Sequence, residues 1–191
     1  RLGGAEGPEG RQWNKEIYLR GNGPGAGYTY QNAGTGASHG GLGGRMLQRT
    51  SNSFEKKNPV PSVHAPTYGD REVSKLLGGS SGGSSDRGGG GAGGGAIELT
   101  AGGAGKVTIT ESGTIRVDGG NATGENNNSG VPGAGSGGSI RISGAEVHNN
   151  GVLSARGGVS VRGAFFAKPE GETRGGNGGG GRIAIHSEGA V

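Results

Sequence analysis

The sequence predicts an all-β fold, a parallel β-helix or solenoid with long glycine-rich loops and an irregular amino-terminal segment. Three observations predict it. The phrase Gly-Gly-x-Ile-x-(Leu/Ile) occurs three times, at Gly94-Gly95-Ala96-Ile97-Glu98-Leu99, Gly137-Gly138-Ser139-Ile140-Arg141-Ile142 and Gly180-Gly181-Arg182-Ile183-Ala184-Ile185. Its apolar anchors advance by 43 residues at each step, the mark of one supersecondary unit stacked on the next. Within a copy, apolar and polar residues alternate, with Ile97 and Leu99 against Glu98 and Thr100, and Val107 and Ile109 against Thr108 and Thr110. Period 2 means strands with one buried and one wet face. Finally, glycine fills 51 of 191 positions while the hydrophobic class is 28% and aromatics 4%, so the core must be thin. A solenoid meets that limit with roughly two or three inward aliphatics per coil, and glycine at the corners is expected to supply turns with φ > 0.

The chain divides into residues 1–50, 51–92 and 93–191. The first part is an irregular glycine-rich segment, a candidate cap or exchange strand. Glu16 to Arg20 is its one plausible strand, and Tyr28-Thr29-Tyr30 has the propensity of a short edge. Gly36 to Gly44 is too permissive for a regular element, and its glycine density suits close backbone approach or a helix of polyglycine type. The second part is an extended excursion. Pro59, Pro61 and Pro66 block ladder hydrogen bonds there, and Arg71 to Leu77 is a short helix candidate ended by Gly78-Gly79.

The third part carries the repeats. Strands are predicted at Ala96 to Thr100, Lys106 to Thr110 and Thr114 to Asp118, then at Ser139 to Ser143, Glu146 to His148 and Val152 to Ala155. The third copy retains only Arg182 to His186, so the chain is expected to be processed or part of a longer one. Ile97, Leu99, Ile140, Ile142, Ile183 and Ile185 are the predicted core stack. The polar stretches Gly119 to Ser136 and Gly157 to Gly179 are expected as loops on one face.

The succession Ala37-Ser38-His39-Gly40-Gly41, Thr67-Tyr68-Gly69-Asp70, Leu77-Gly78-Gly79-Ser80 and the three repeat phrases resembles glycine-rich surface and adhesin-like repeat proteins. The resemblance spans Ala37 to Val191 and leaves Arg1 to Gly36 outside it. It implies a right-handed parallel β-helix displayed outside the cell, in a structural or adhesive role, and it supplies no catalytic residue.

Chemistry-bearing patterns are sparse. Without cysteine there is no disulfide framework, thiol catalysis or cysteine-ligated zinc. His39, His64, His148 and His186 lack metal-ligand spacing, and Asp118-Gly119-Gly120-Asn121 lacks both the EF-hand and the calcium nonapeptide pattern. No Gly-Lys-(Ser/Thr) occurs, which sets nucleotide binding aside. No enzyme activity, metal or cofactor is expected. No run of about 18 apolar residues exists to span a membrane as a helix. Asn121-Ala122-Thr123 and Asn127-Asn128-Ser129 are N-glycosylation acceptors in the first polar stretch. Trp13, Tyr28 and Tyr30 are either packing anchors or platforms for a glycan. Arg-Gly-Gly triplets at Arg87, Arg156 and Arg174 raise RNA binding, but they lack interleaved aromatics, and the net charge is only +4.

These features point to a non-enzymatic building block of an extracellular filament, appendage or surface layer, self-associating head to tail through open solenoid ends. Its expected partner is a second copy of itself, with no nucleic acid and no membrane insertion. The runner-up is an adhesin or carbohydrate-binding surface module, with an RNA-binding protein behind it.

Overall fold

The structure, a computed structural model, describes residues 20–30, 33–48, 64–85, 88–124, 131–160, 162–164 and 172–188. Among them the fold is all-β. The first strands are β1 (Thr29–Tyr30), β2 (Ala33–Gly34), β3 (Leu47–Gln48), β4 (Gly88–Gly89), β5 (Ala96–Thr100), β6 (Lys106–Ile109) and β7 (Thr114–Arg116). They are followed by β8 (Thr123–Gly124), β9 (Ser139–Gly144), β10 (Glu146–Asn149), β11 (Val152–Ser154), β12 (Arg162–Ala164), β13 (Glu172–Arg174) and β14 (Arg182–Ser187).

Three parallel ladders superimpose one repeat on the next. In the first, β9 lies between β5 and β14, so that Ile97, Ile140 and Ile183 are direct neighbours, as are Leu99, Ile142 and Ile185. In the second, β10 pairs with β6, aligning Val147 with Val107; in the third, β11 pairs with β7, aligning Leu153 with Ile115. Period-2 alternation sends the aliphatic of each rung into the space between the ladders. Ile109, Val117, Ile140, Ile142 and Val147 form the core there, with Ile97, Val107, Ile115, Leu153 and Ile185 packed against it. Ile140 and Ile142 on the middle rung are fully buried, whereas Leu99 and Ile183 on the outer rungs remain 37% and 42% exposed. The predicted core stack is therefore a stack in register whose outer members are only half covered, because a rung lies on one side of them alone.

The sheets stay short. Each has two or three strands, and no closed solenoid forms among the described residues. The reason is what the chain does after its third strand, where it enters a glycine run. Those runs, expected as loops and excursions, are the second half of the fold. Residues 131–138 are all buried, and their backbone bonds repeat every three residues. The N–H groups of Gly133 and Ser136 donate to Gly83 and Ser80, those of Ala134 and Gly137 to Gly176 and Gly179, and those of Gly135 and Gly138 to Gly120 and Val117. The carbonyls keep the same rhythm: Val131 and Ala134 accept from Gly34 and Ala37, Gly133 and Ser136 from Gly91 and Gly94, and Gly135 from Gly158. One extended segment is thus tied to six others. Three residues per turn with every bond made outward is the geometry of a polyproline II helix.

Glycine is required here for close approach rather than for turning. A Cβ placed on Gly133 or Gly135 would lie 1.9 Å from the carbonyl oxygen of Thr35 or Ala92. Positive φ occurs at only three of the described glycines, Gly23, Gly69 and Gly103, fewer than the corner turns expected, while the close backbone approach expected at Gly36 to Gly44 extends through the other glycine runs.

Residues 64–77 run as a strap over the outer face of the β9–β14 pair. Arg141 on β9 donates from Nη1 to the carbonyls of Val73 (3.0 Å) and Ser74 (3.1 Å) and pairs with Glu98. On β14, Arg182 Nε donates to Tyr68 O (3.0 Å) and His186 Nε2 to Glu72 O (2.8 Å). The helix expected at Arg71 to Leu77 does not form. Val73 N–H closes a turn onto Asp70 O, Val73 then adopts φ 52°, and the carbonyls a helix would use internally go to Arg141.

Candidate functional site

The densest buried polar cluster lies where the strap meets the glycine bundle. His39 ends the 33–38 segment and is fully buried. Its ring stacks on Tyr68 with centroids 4.3 Å apart and an interplanar angle of 14°. Nδ1 lies 2.7 Å from the carbonyl oxygen of Gly137, so Nδ1 carries the proton and donates. Nε2 is left as an acceptor with no partner among the described residues. Burial pushes the His39 proton affinity below the ordinary 6.5; the Gly137 bond opposes that and nearby Arg182 adds to it.

Around the ring pair the hydroxyls form a relay. Gly25 N–H donates to Ser80 Oγ (3.0 Å), Ser80 Oγ to Tyr68 Oη (2.9 Å), and Tyr68 Oη to Gly78 O (2.6 Å). Burial raises the Tyr68 pKa, with the bonds to Ser80 and Ser136 opposing. Ser38 Oγ donates to Ala65 O and accepts from Gly43 N–H. Each hydroxyl is thereby committed to joining one segment to another, and the cluster fastens the strap, the 20–30 loop and the central segment together. The sequence analysis singled out the phrases around His39, Tyr68 and Ser80 for a resemblance but did not bring them together. Ser38-His39-Gly40 shows no periodicity, and its partners lie up to 98 residues away.

The predicted site residues fall elsewhere. Asn121 is exposed at the end of the 117–122 segment, where its Oδ1 accepts from Val159 N–H (2.8 Å). Asn127 and Trp13 lie outside the described residues. Tyr28 is half-buried, with the Arg20 guanidinium 4.6 Å over its ring, so that face already has an occupant. Tyr30 is placed in β1 by its backbone. Arg20, the end of the predicted exchange strand, bridges Tyr28 of its own chain.

On the surface, Asp118 joins the first two copies. Its Oδ1 accepts from Ser154 Oγ and Arg156 N–H, and its Oδ2 from Arg116. Burial alone would raise its pKa, but these donors outweigh it and hold the carboxyl below 3.8. Glu146 lies between His148 and Lys106, both at 3.3 Å, which lower its pKa below 4.5. No group of three His, Cys, Asp or Glu side chains suited to a metal occurs among the described residues. Comparison with protein-family models, curated proteins and solved structures returned no match.

Proposed function

We propose that the chain is a non-enzymatic structural subunit of an extracellular filament, appendage or surface layer that assembles end to end through its parallel ladders. The observation that carries this reading is the in-register column of Ile97, Ile140 and Ile183, which ends on strands β5 and β14, each paired on one side only among the described residues. Unpaired strand edges invite another strand, and the half-exposed Leu99 and Ile183 add an apolar reason. Among the described residues β10 and β11 likewise pair on one side only, with β6 and β7. A neighbour that lays two strands there completes the third rung, and the coil then continues between subunits as a right-handed parallel β-helix. Such a contact does not close on itself, so it propagates.

Electron microscopy and sedimentation of the full chain over a concentration series test this. Filaments are expected, with strand stacking near 4.8 Å along their axis. Ile183→Lys should abolish them while leaving a folded monomer. A wild-type chain that stays monomeric at high concentration overturns the proposal.

A further inference from the structure

We propose that His39 is an acid-sensitive latch, whose protonation frees the Tyr68 end of the 64–77 strap from the face of the β9–β14 ladder. The inference stands on the packing of the ring and does not depend on filament assembly.

The neutral ring fits its site. Nδ1–H is satisfied by Gly137 O on the central segment, and Tyr68 covers one face of the ring. A second proton would go to Nε2, which is buried and meets no acceptor. The left-handed Gly69 sits at that nitrogen: a Cβ there would be 3.5 Å from His39 Nε2 and 3.3 Å from Arg182 Nε. An imidazolium would therefore face the Arg182 guanidinium across a glycine, and no carboxylate among the described residues is a charge partner of the ring. A buried donor without an acceptor and an unpaired buried cation are both strongly disfavoured, so opening the site to water relieves the protonated state.

The charged groups around the ring decide which part moves. From β14 the facing group is Arg182, which repels an imidazolium while its own Nε–H holds Tyr68 O. The central segment contributes only the Gly137 carbonyl, and the strap contributes neutral Tyr68. Asp70, two residues along the strap, has both carboxylate oxygens on Ser74. The far end is held by other donors: His186 Nε2 lies 2.8 Å from Glu72 O, and Arg141 Nη1 donates to the carbonyls of Val73 and Ser74. Acid therefore lifts residues 64–70 while residues 72–74 stay docked, a hinged opening rather than loss of the strap.

Hydrogen exchange of the full chain reads this directly, because Tyr68 N–H is bonded to His39 O at 3.1 Å. After correction for intrinsic exchange, protection across 64–70 is expected to fall severalfold as pH drops below 6.5, the direction that the lowered proton affinity of His39 dictates. Protection in β9 should stay level. In His39→Asn, which keeps a donor toward Gly137 O but cannot titrate, the pH dependence should vanish. Wild-type protection of 64–70 that is flat with pH, or an equal fall in His39→Asn, overturns the proposal. Should that variant not fold, imidazole nitrogen shifts of the wild type decide: a ring that titrates at or above 6.5 with the strap still protected refutes the latch.

Discussion

Gly135→Ala probes the glycine bundle most directly. Its new methyl carbon would stand 1.9 Å from Ala92 O, where real side-chain contacts do not come under 3.0 Å, so one segment must retreat by about 1 Å. Three bonds share that contact: Gly135 N–H to Gly120 O, Gly158 N–H to Gly135 O, and Gly120 N–H to Ala92 O itself. Each contributes about 1 kcal/mol net and more when left unmade in the interior, and overpacking adds about 1–3 kcal/mol. The expected loss is about 3–5 kcal/mol, a large part of the stability of an ordinary domain. Ala134, next door and fully buried, shows that a methyl is tolerated where the lattice leaves room. Urea unfolding followed by circular dichroism measures the difference. A Gly135→Ala chain within about 0.5 kcal/mol of wild type would refute the claim that glycine is selected here for closeness.

At Gly102 a Cβ meets nothing within 4 Å and φ is not positive, so Gly102→Ala should raise stability by about 0.4–1 kcal/mol in the same assay. Ile140→Ala, on the buried middle rung, should cost about 2–5 kcal/mol, and Ile183→Ala, on the exposed outer rung, well under half of that. Asp118→Asn should cost about 1–2 kcal/mol in the same assay, since it weakens the acceptor that Ser154, Arg156 and Arg116 share. The pH profile of stability should have two steps. The folded pKa of His39 lies below its unfolded value, so its contribution is intact above 6.5 and declines as pH falls below it. The depressed carboxyls of Asp118 and Glu146 add a second loss only below 3.8 and 4.5, and His39→Asn should erase the first step alone.

The ladders were legible in the sequence because side chains announce them. Ile97, Ile140 and Ile183 recur at a fixed interval, and alternation marks the strands to within a residue or two, as with Lys106–Ile109 against a predicted end at Thr110. The glycine bundle was legible as composition and, at Gly36 to Gly44, as a segment suited to close backbone approach, but its order was not. Its order resides in backbone bonds of period three, and a run such as Gly88 to Gly95 carries no side chain to display that period. The strap misled for another reason. Arg71 to Leu77 has the local look of a helix, but its carbonyls were claimed by Arg141 from a strand 68 residues distant. His39 and Tyr68 stood out in the sequence only within phrases that carry a resemblance, and their contact was not legible, since spacing does not connect His39 to Tyr68 or Gly137.

The segment at 131–138 bears on how the chain acquires its shape. Its partners come from as early as Gly34 and as late as Gly179, so none of its bonds is local and nearly every loop must be closed before it is seated. Such topologies fold slowly, because entropy is spent long before contacts repay it. Synthesis on the ribosome should therefore leave the glycine runs solvated until the region around Gly179 emerges, after which the interior sets in one cooperative event.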